Sequence, residues 1–162
     1  MTEQNNTSDR RSFLKKISLA GVMTLGIPEI VSAALISEKK GDKVSLRPND
    51  IILFQGDSIT DAKRKRTDLL FNSPQGMGSG YAFLAASELL SKHFNKDLKI
   101  YNRGVGGDKV YQLADRWEED CMKIKPTVLS IHVGVNDHWH VKSKGYTGTI
   151  KTYRDDFKDL LD

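Results

Sequence analysis

The chain of 162 residues holds one cysteine, Cys121, so it has neither an internal disulfide nor the cysteine cluster of a structural metal site. It has no low-complexity tract. Its one extended apolar stretch near the N-terminus, Ile17 to Ile30, is short and broken by Gly21, Gly26 and Pro28, which argues against a stable membrane span. Charge of one sign is scarce: a formal net charge of +4 is too weak to argue for nucleic acid or an anionic membrane as a partner. The glycine-rich run Gly76-Met77-Gly78-Ser79-Gly80 matches neither the P-loop nor the dinucleotide-binding pattern and reads as a flexible approach to a helix. What remains is a globular composition, 38% hydrophobic and 28% charged, of one-domain length.

Residues 1–34 read as a targeting segment. Arg10-Arg11 precede Phe13-Leu14, a moderately apolar stretch follows, and Val31-Ser32-Ala33-Ala34 offers small residues suited to cleavage. This order resembles a bacterial twin-arginine export signal and implies passage through that machinery into the periplasm or beyond. Residues 35–49 form a polar lead-in ending in the turn Pro48-Asn49-Asp50.

From residue 50 the pattern alternates. Ile51 to Gln55 is an apolar run suited to a strand buried on both faces, ending in Gly56-Asp57-Ser58. After the basic run Lys63-Arg64-Lys65-Arg66, read as a solvated loop, a helix is predicted from Tyr81 to Phe94 with Phe83, Ala86, Leu90 and Phe94 on one face. Leu98 to Asn102 is a second strand, running into Arg103-Gly104-Val105-Gly106-Gly107-Asp108. A helix over Lys109–Lys123 carries Val110, Leu113, Ala114, Trp117, Cys121 and Ile124 as one stripe, with Cys121 there for packing. A third strand, Thr127 to Val133, places His132 in a buried strand and leads into the loop Gly134 to His140. The last helix spans Gly148 to Leu161, with Ile150, Tyr153, Phe157, Leu160 and Leu161 inward.

The order β-α-β-α-β-α predicts an α/β fold with a parallel sheet and right-handed crossovers. All three loops at the strands' carboxyl ends combine Gly with Ser, Asp or Asn, and in such sheets those ends share one edge, where ligands bind. Ser58 alone reads equally as a helix cap or a nucleophile. With Gly107 offering an unobstructed backbone N–H and Asn136 a side-chain amide, the three loops suit acyl transfer, which needs a nucleophile and donors for the developing oxyanion.

Gly56-Asp57-Ser58-Ile59-Thr60, Asn102 through Asp108, and Gly134-Val135-Asn136-Asp137 resemble the first three sequence blocks of the GDSL/SGNH hydrolases over about residues 50–140. The resemblance implies a three-layer α/β/α sandwich (a flavodoxin-like parallel sheet) in the strand order 2-1-3-4-5. It implies Ser58 as nucleophile and Gly107 and Asn136 as oxyanion-hole donors, with Gly104 and Gly106 as alternatives for the glycine. It requires no cofactor and no metal. An exported esterase with this first block is similar to carbohydrate O-acetylesterases acting on polysaccharide esters. The alternatives are a lysophospholipase or short-chain acyl esterase, or a non-catalytic carbohydrate-binding protein using Trp139, Tyr146 and the basic loop. The family's base, a histidine in a separate C-terminal D-x-x-H block, is missing from the pattern. Asp137-His138-Trp139-His140 has that spelling, but Asp137 already belongs to the third block. His93, His132, His138 and His140 are the four histidines. The expectation is a truncated N-terminal part of a longer hydrolase, residues 50–162, whose third strand is an apolar sheet edge and whose base lies beyond Asp162.

Overall fold

A computed structural model describes residues 44–162; the export signal read over 1–34 and most of the lead-in lie outside them. Ser45–Asp162 form one compact unit. Among the described residues no helix is long and apolar enough to cross a membrane.

Three parallel strands, β1 (Ile51–Gly56), β2 (Lys99–Asn102) and β3 (Val128–His132), form a sheet in the order β2-β1-β3. The register pairs Leu53 with Tyr101 on one side and with Leu129 on the other. Alternate side chains leave opposite faces of a strand, so the sheet carries a core on each face. Ile52 and Phe54 pack with Ile100, Leu98 and Met77 under helix α3 (Tyr81–Lys92), whose Ala82 and Ala86 are buried. These alanines let α3 sit close to the sheet, and Tyr81 meets the edge of the Phe54 ring, centroids 5.8 Å apart. On the opposite face, Ile131 packs against α4 (Val110–Asp115) and α6 (Ile150–Leu161) through Val110, Leu113, Tyr153, Phe157 and Leu160. Helices thus cover both faces of the sheet. Two single-turn helices, α1 (Ser58–Asp61) and α2 (Pro74–Met77), follow β1.

Several elements differ from the sequence expectation. The helix read as Tyr81–Phe94 ends at Lys92, and Phe94 opens a 3-10 turn with its ring 83% exposed instead of inward. The helix read as Lys109–Lys123 breaks after Asp115: Arg116 caps it, and a π-type turn, Glu118–Met122, follows. The break turns the Asp120 carbonyl to the sheet, where it accepts the Gln55 Nε2–H at 2.9 Å. Residues 135–143, read as loop, form helix α5 (Val135–Ser143). Asn136, Asp137, His138, His140 and Lys142 leave that helix no apolar period to announce it. In α6 the inward set is Tyr153, Phe157 and Leu160, whereas Ile150 lines an open groove with Val133 and Val141, and Leu161 is exposed. β3 is only half-buried and the His132 side chain is exposed, because β1 covers one edge and no strand covers the other among the described residues.

Candidate active site

The site lies where β1, β2 and β3 end side by side. Gly56 has φ +156°, and a Cβ there would collide with the His132 carbonyl oxygen and Thr60 Oγ1, so only glycine lets β1 turn this close to β3. Asp57 caps α1 through its side chain, accepting the Ile59 N–H at 2.9 Å. This leaves Ser58, the first residue of α1, exposed between buried Asp57 and Thr60. The capping role that sequence offered as an alternative for Ser58 therefore belongs to its neighbour Asp57.

The second loop sits against this turn. A Cβ built on Gly106 would lie 3.6 Å from Ser58 Cβ. Two of the loop's three candidate glycines already use their N–H groups: Gly104 donates to Asn102 Oδ1 at 2.8 Å and Gly106 to Asp61 Oδ2 at 2.9 Å. Gly107, at φ +94° with open space where a Cβ would stand, donates to no acceptor among the described residues.

The third strand end closes the row. Asn136 is buried in the first turn of α5, and its Nδ2 donates to the Asp108 carbonyl at 3.0 Å. An amide nitrogen carries two hydrogens, so one remains for a ligand. Gly134, at φ +129°, lets Tyr153 pack over the turn; a Cβ would come within 2.9 Å of that ring. Ser58 thus lies close to Gly106 of the glycine loop, and the residue after Gly107 anchors Asn136.

A residue absent from the sequence reading holds these pieces in register. Arg116 donates from Nε to Asp108 Oδ2 (2.8 Å), and from Nη1 to the Arg103 carbonyl (2.7 Å), Asp120 Oδ2 (2.9 Å) and Gln55 Oε1 (3.1 Å). Its Nη2 reaches the Gly56 carbonyl at 3.3 Å. One guanidinium therefore ties the ends of β1 and β2 to the loop that seats Asn136. A planar fork with five donors is the side chain suited to this. An arginine in the middle of an apparent helical stripe carries no such signal in one dimension.

The basic run is also more than a solvated loop. Arg64 is only 7% exposed and donates from Nε to the Gly104 carbonyl at 2.8 Å. Arg66 pairs with Asp61, with Nε to Oδ2 at 3.0 Å. Burial, together with the like charge of Arg103, depresses the Arg64 pKa. Asp137 accepts the Val110 N–H at 3.3 Å through Oδ1, while Oδ2 is buried without a partner; burial raises its pKa. Burial, reinforced by Asp120, raises the Cys121 pKa and makes it an unreactive packing thiol. Among the described residues no cluster of three or more His, Cys, Asp or Glu is arranged to hold a metal.

The profile of the GDSL-like Lipase/Acylhydrolase family matches residues 54–161, which include all three loops. The chain belongs to that family. An acetylxylan esterase of Geobacillus stearothermophilus is 32% identical over 116 residues, covering 68% of this chain and 50% of that relative. The solved structure of an acetylxylan esterase from the same organism superposes with a TM-score of 0.67 at 29% identity, over 73% of this chain and 55% of that one. Its solved forms include catalytic mutants at a serine and at an aspartate and a histidine three residues apart. A GDSL-like lipase-type protein of Parabacteroides merdae is 50% identical with a TM-score of 0.72, covering 74% of this chain and 55% of that one. The chain thus spans about half the length of the relatives it matches. Its strand order β2-β1-β3 is the first part of the order expected for such hydrolases.

No histidine hydrogen-bonds Ser58 Oγ among the described residues. His132 is exposed on β3 with its ring 5.8 Å from that of Tyr81, His138 is exposed on α5, and His93 caps α3. His140 is buried and lines a cleft with Gly106 and Gly107.

Proposed function

We propose that this GDSL-family chain carries the nucleophile and oxyanion hole of an exported serine esterase that removes acetyl groups from carbohydrate. Ser58 Oγ attacks the acyl carbon. A base takes the Oγ proton during this attack and passes it to the departing sugar oxygen, and water then releases acetate from the acyl-enzyme. The developing oxyanion is held by the backbone N–H groups of Ser58 and Gly107 and by the second Nδ2–H of Asn136. The observation that carries this reading is that, in the loop whose Gly106 lies close to Ser58, Gly107 keeps an unengaged N–H while Gly104 and Gly106 have given theirs away. The acetylxylan esterase relatives support the acetyl-carbohydrate substrate over lysophospholipids or other short acyl esters. The Arg10-Arg11 segment supports export by the twin-arginine route to the periplasm or beyond.

The base comes from outside residues 1–162, as a D-x-x-H pair like the aspartate and histidine three residues apart in the solved esterase. A second reading gives this role to His140: it lines the cleft with Gly107, and burial, then Lys144 and Lys109, lower its pKa. Acetyl-ester hydrolysis by the protein extended along its reading frame tests both. Ser58→Ala loses several orders of magnitude and Asn136→Ala loses about 10²–10³ in turnover. His140→Ala leaves turnover intact if the base is external and abolishes it if His140 is the base. Unchanged hydrolysis in Ser58→Ala removes the assignment.

A further inference from the structure

The helix that carries Ser58 is too short to hold itself. α1 has four residues, and a single turn fixes several dihedral angles for little hydrogen bonding. It runs out into strained backbone: Ala62 (φ 42°) and Lys63 (φ 62°) are consecutive non-glycine residues at positive φ. Such residues persist where the surrounding structure over-determines them. Ser58 itself is exposed, so the backbone of this turn sets the aim of its hydroxyl.

The grip comes from residues 77–81, which include the glycine-rich run read in sequence as a flexible approach to a helix. The Ala62 carbonyl accepts the Ser79 N–H at 2.9 Å and the Ser79 hydroxyl at 3.1 Å. A Cβ on Gly78 would stand 2.6 Å from the Asp61 carbonyl oxygen, and one on Gly80 2.6 Å from Ala62 Cβ, so the two segments are in direct contact. Buried Asn102 divides its Nδ2 hydrogens between them, donating to the Thr60 carbonyl at 2.7 Å and to the Met77 carbonyl at 2.8 Å.

Within this contact lies a pair of hydroxyls. Thr60 is fully buried two residues after Ser58, and its Oγ1 is 3.0 Å from Tyr81 Oη. The same Oγ1 would stand 2.3 Å from a Cβ on Gly56. One oxygen therefore touches both the end of β1, where the Ser58 turn begins, and the first residue of α3. The Tyr81 ring is seated independently, edge-on to Phe54 of β1 and to His132 of β3, with centroids 5.8 Å apart in each case. The tyrosine thus ties the turn to two strands of the sheet.

We propose that Tyr81 is a positioning residue for Ser58, acting through the Thr60 hydroxyl. The role rests on the reading of Ser58 as the esterase nucleophile. A nucleophile displaced by about 1 Å loses rate, by up to about 10²-fold, without losing affinity for its substrate.

Tyr81→Phe removes the hydroxyl and keeps the ring that packs on Phe54 and His132. The Asp61 and Ala62 amides close the turn on the Asp57 and Ser58 carbonyls. In the 1–162 chain their hydrogen exchange is expected to speed up about tenfold in Tyr81→Phe, while the amides of β1 keep their rates. In the protein extended along its reading frame, kcat for an acetyl ester is expected to fall about tenfold in Tyr81→Phe and in Thr60→Val, with KM within about twofold. Combining the two substitutions should cost no more than about twofold beyond either alone, because both break one hydrogen bond. Thr60→Ser keeps the hydroxyl and should retain kcat within about threefold. Unchanged exchange at Asp61 and Ala62, losses that multiply in the double variant, or a loss confined to KM would each overturn the proposal. So would a wild-type kcat in Tyr81→Phe beside an inactive Ser58→Ala, which leaves the esterase reading standing. Full hydrolysis by Ser58→Ala removes that reading instead, and the positioning role with it.

Discussion

β1 and β3 lie next to each other in one sheet, are similarly apolar and end at the same site, yet they occupy different environments. Leu53 in β1 is fully buried, whereas its register partner Leu129 in β3 is 37% exposed. β1 has a strand on each side and helices on both faces; β3 has β1 on one side and no strand on the other among the described residues. Burial here follows the number of neighbours rather than the residue type. The site inherits the asymmetry. Ser58 follows the central strand, and Arg116 braces its turn and the loop that carries Gly107. Asn136 hangs from the open side, held by one hydrogen bond to the Asp108 carbonyl and by the packing of Tyr153 behind Gly134. An apolar strand edge of this kind is a surface that pairs readily with other chains.

The contrast can be broken experimentally, most sharply at the paired leucines. Leu53→Ala is expected to cost about 4 kcal/mol of unfolding free energy, as a fully buried leucine leaves a cavity. Next comes Arg116→Met, expected to cost about 3 kcal/mol because the Asp108 carboxylate loses its partner in a largely buried setting and Asp120 keeps only Arg103. Chemical denaturation of both variants, with the midpoint and slope followed separately, checks these values. On the open side, Leu129→Ala should cost only about 1 kcal/mol, since much of that side chain already meets water. Equal losses at Leu53 and Leu129 would mean that β3 is covered in solution.

The smallest effect is expected at Asp137, and it depends on pH. Its carboxyl titrates above the ordinary aspartate range because it is buried. Protons are therefore bound more readily by the folded than by the unfolded chain. The Asp137 contribution to stability is fully present below about pH 4, the unfolded pKa, and is lost as pH rises through the folded value. Asp137→Asn should thus stabilise slightly at neutral pH and not in acid. Thermal melts across that range read the difference, and a parallel offset at every pH would exclude titration as its cause.

Much of the fold was legible. The apolar runs at residues 51–55, 98–102 and 127–133 mark the three strands, since buried parallel strands read as continuous hydrophobic segments. The amphipathic stripe of α6 was legible through Tyr153, Phe157 and Leu160. Helix α5 was not, because its polar residues leave no apolar face to detect. Phe94 and Ile150 misled for a related reason: periodicity states which residues share a face, not whether anything packs on it.

The candidate site divides in the same way. Gly56-Asp57-Ser58, Gly107 and Asn136 stand out in one dimension because turns and close backbone approaches restrict residue type locally. Sequence alone therefore determined which residues could form the site and at which strand ends they stand. Only the tertiary structure shows which glycine N–H groups are engaged, since that depends on side chains distant along the chain: Gly106 gives its own to Asp61, 45 residues away. It alone revealed Arg116 as the brace and the buried Arg64 that holds the Gly104 carbonyl. Hydrogen bonds and burial are properties of neighbours in space, and those neighbours exist only once the strands have paired.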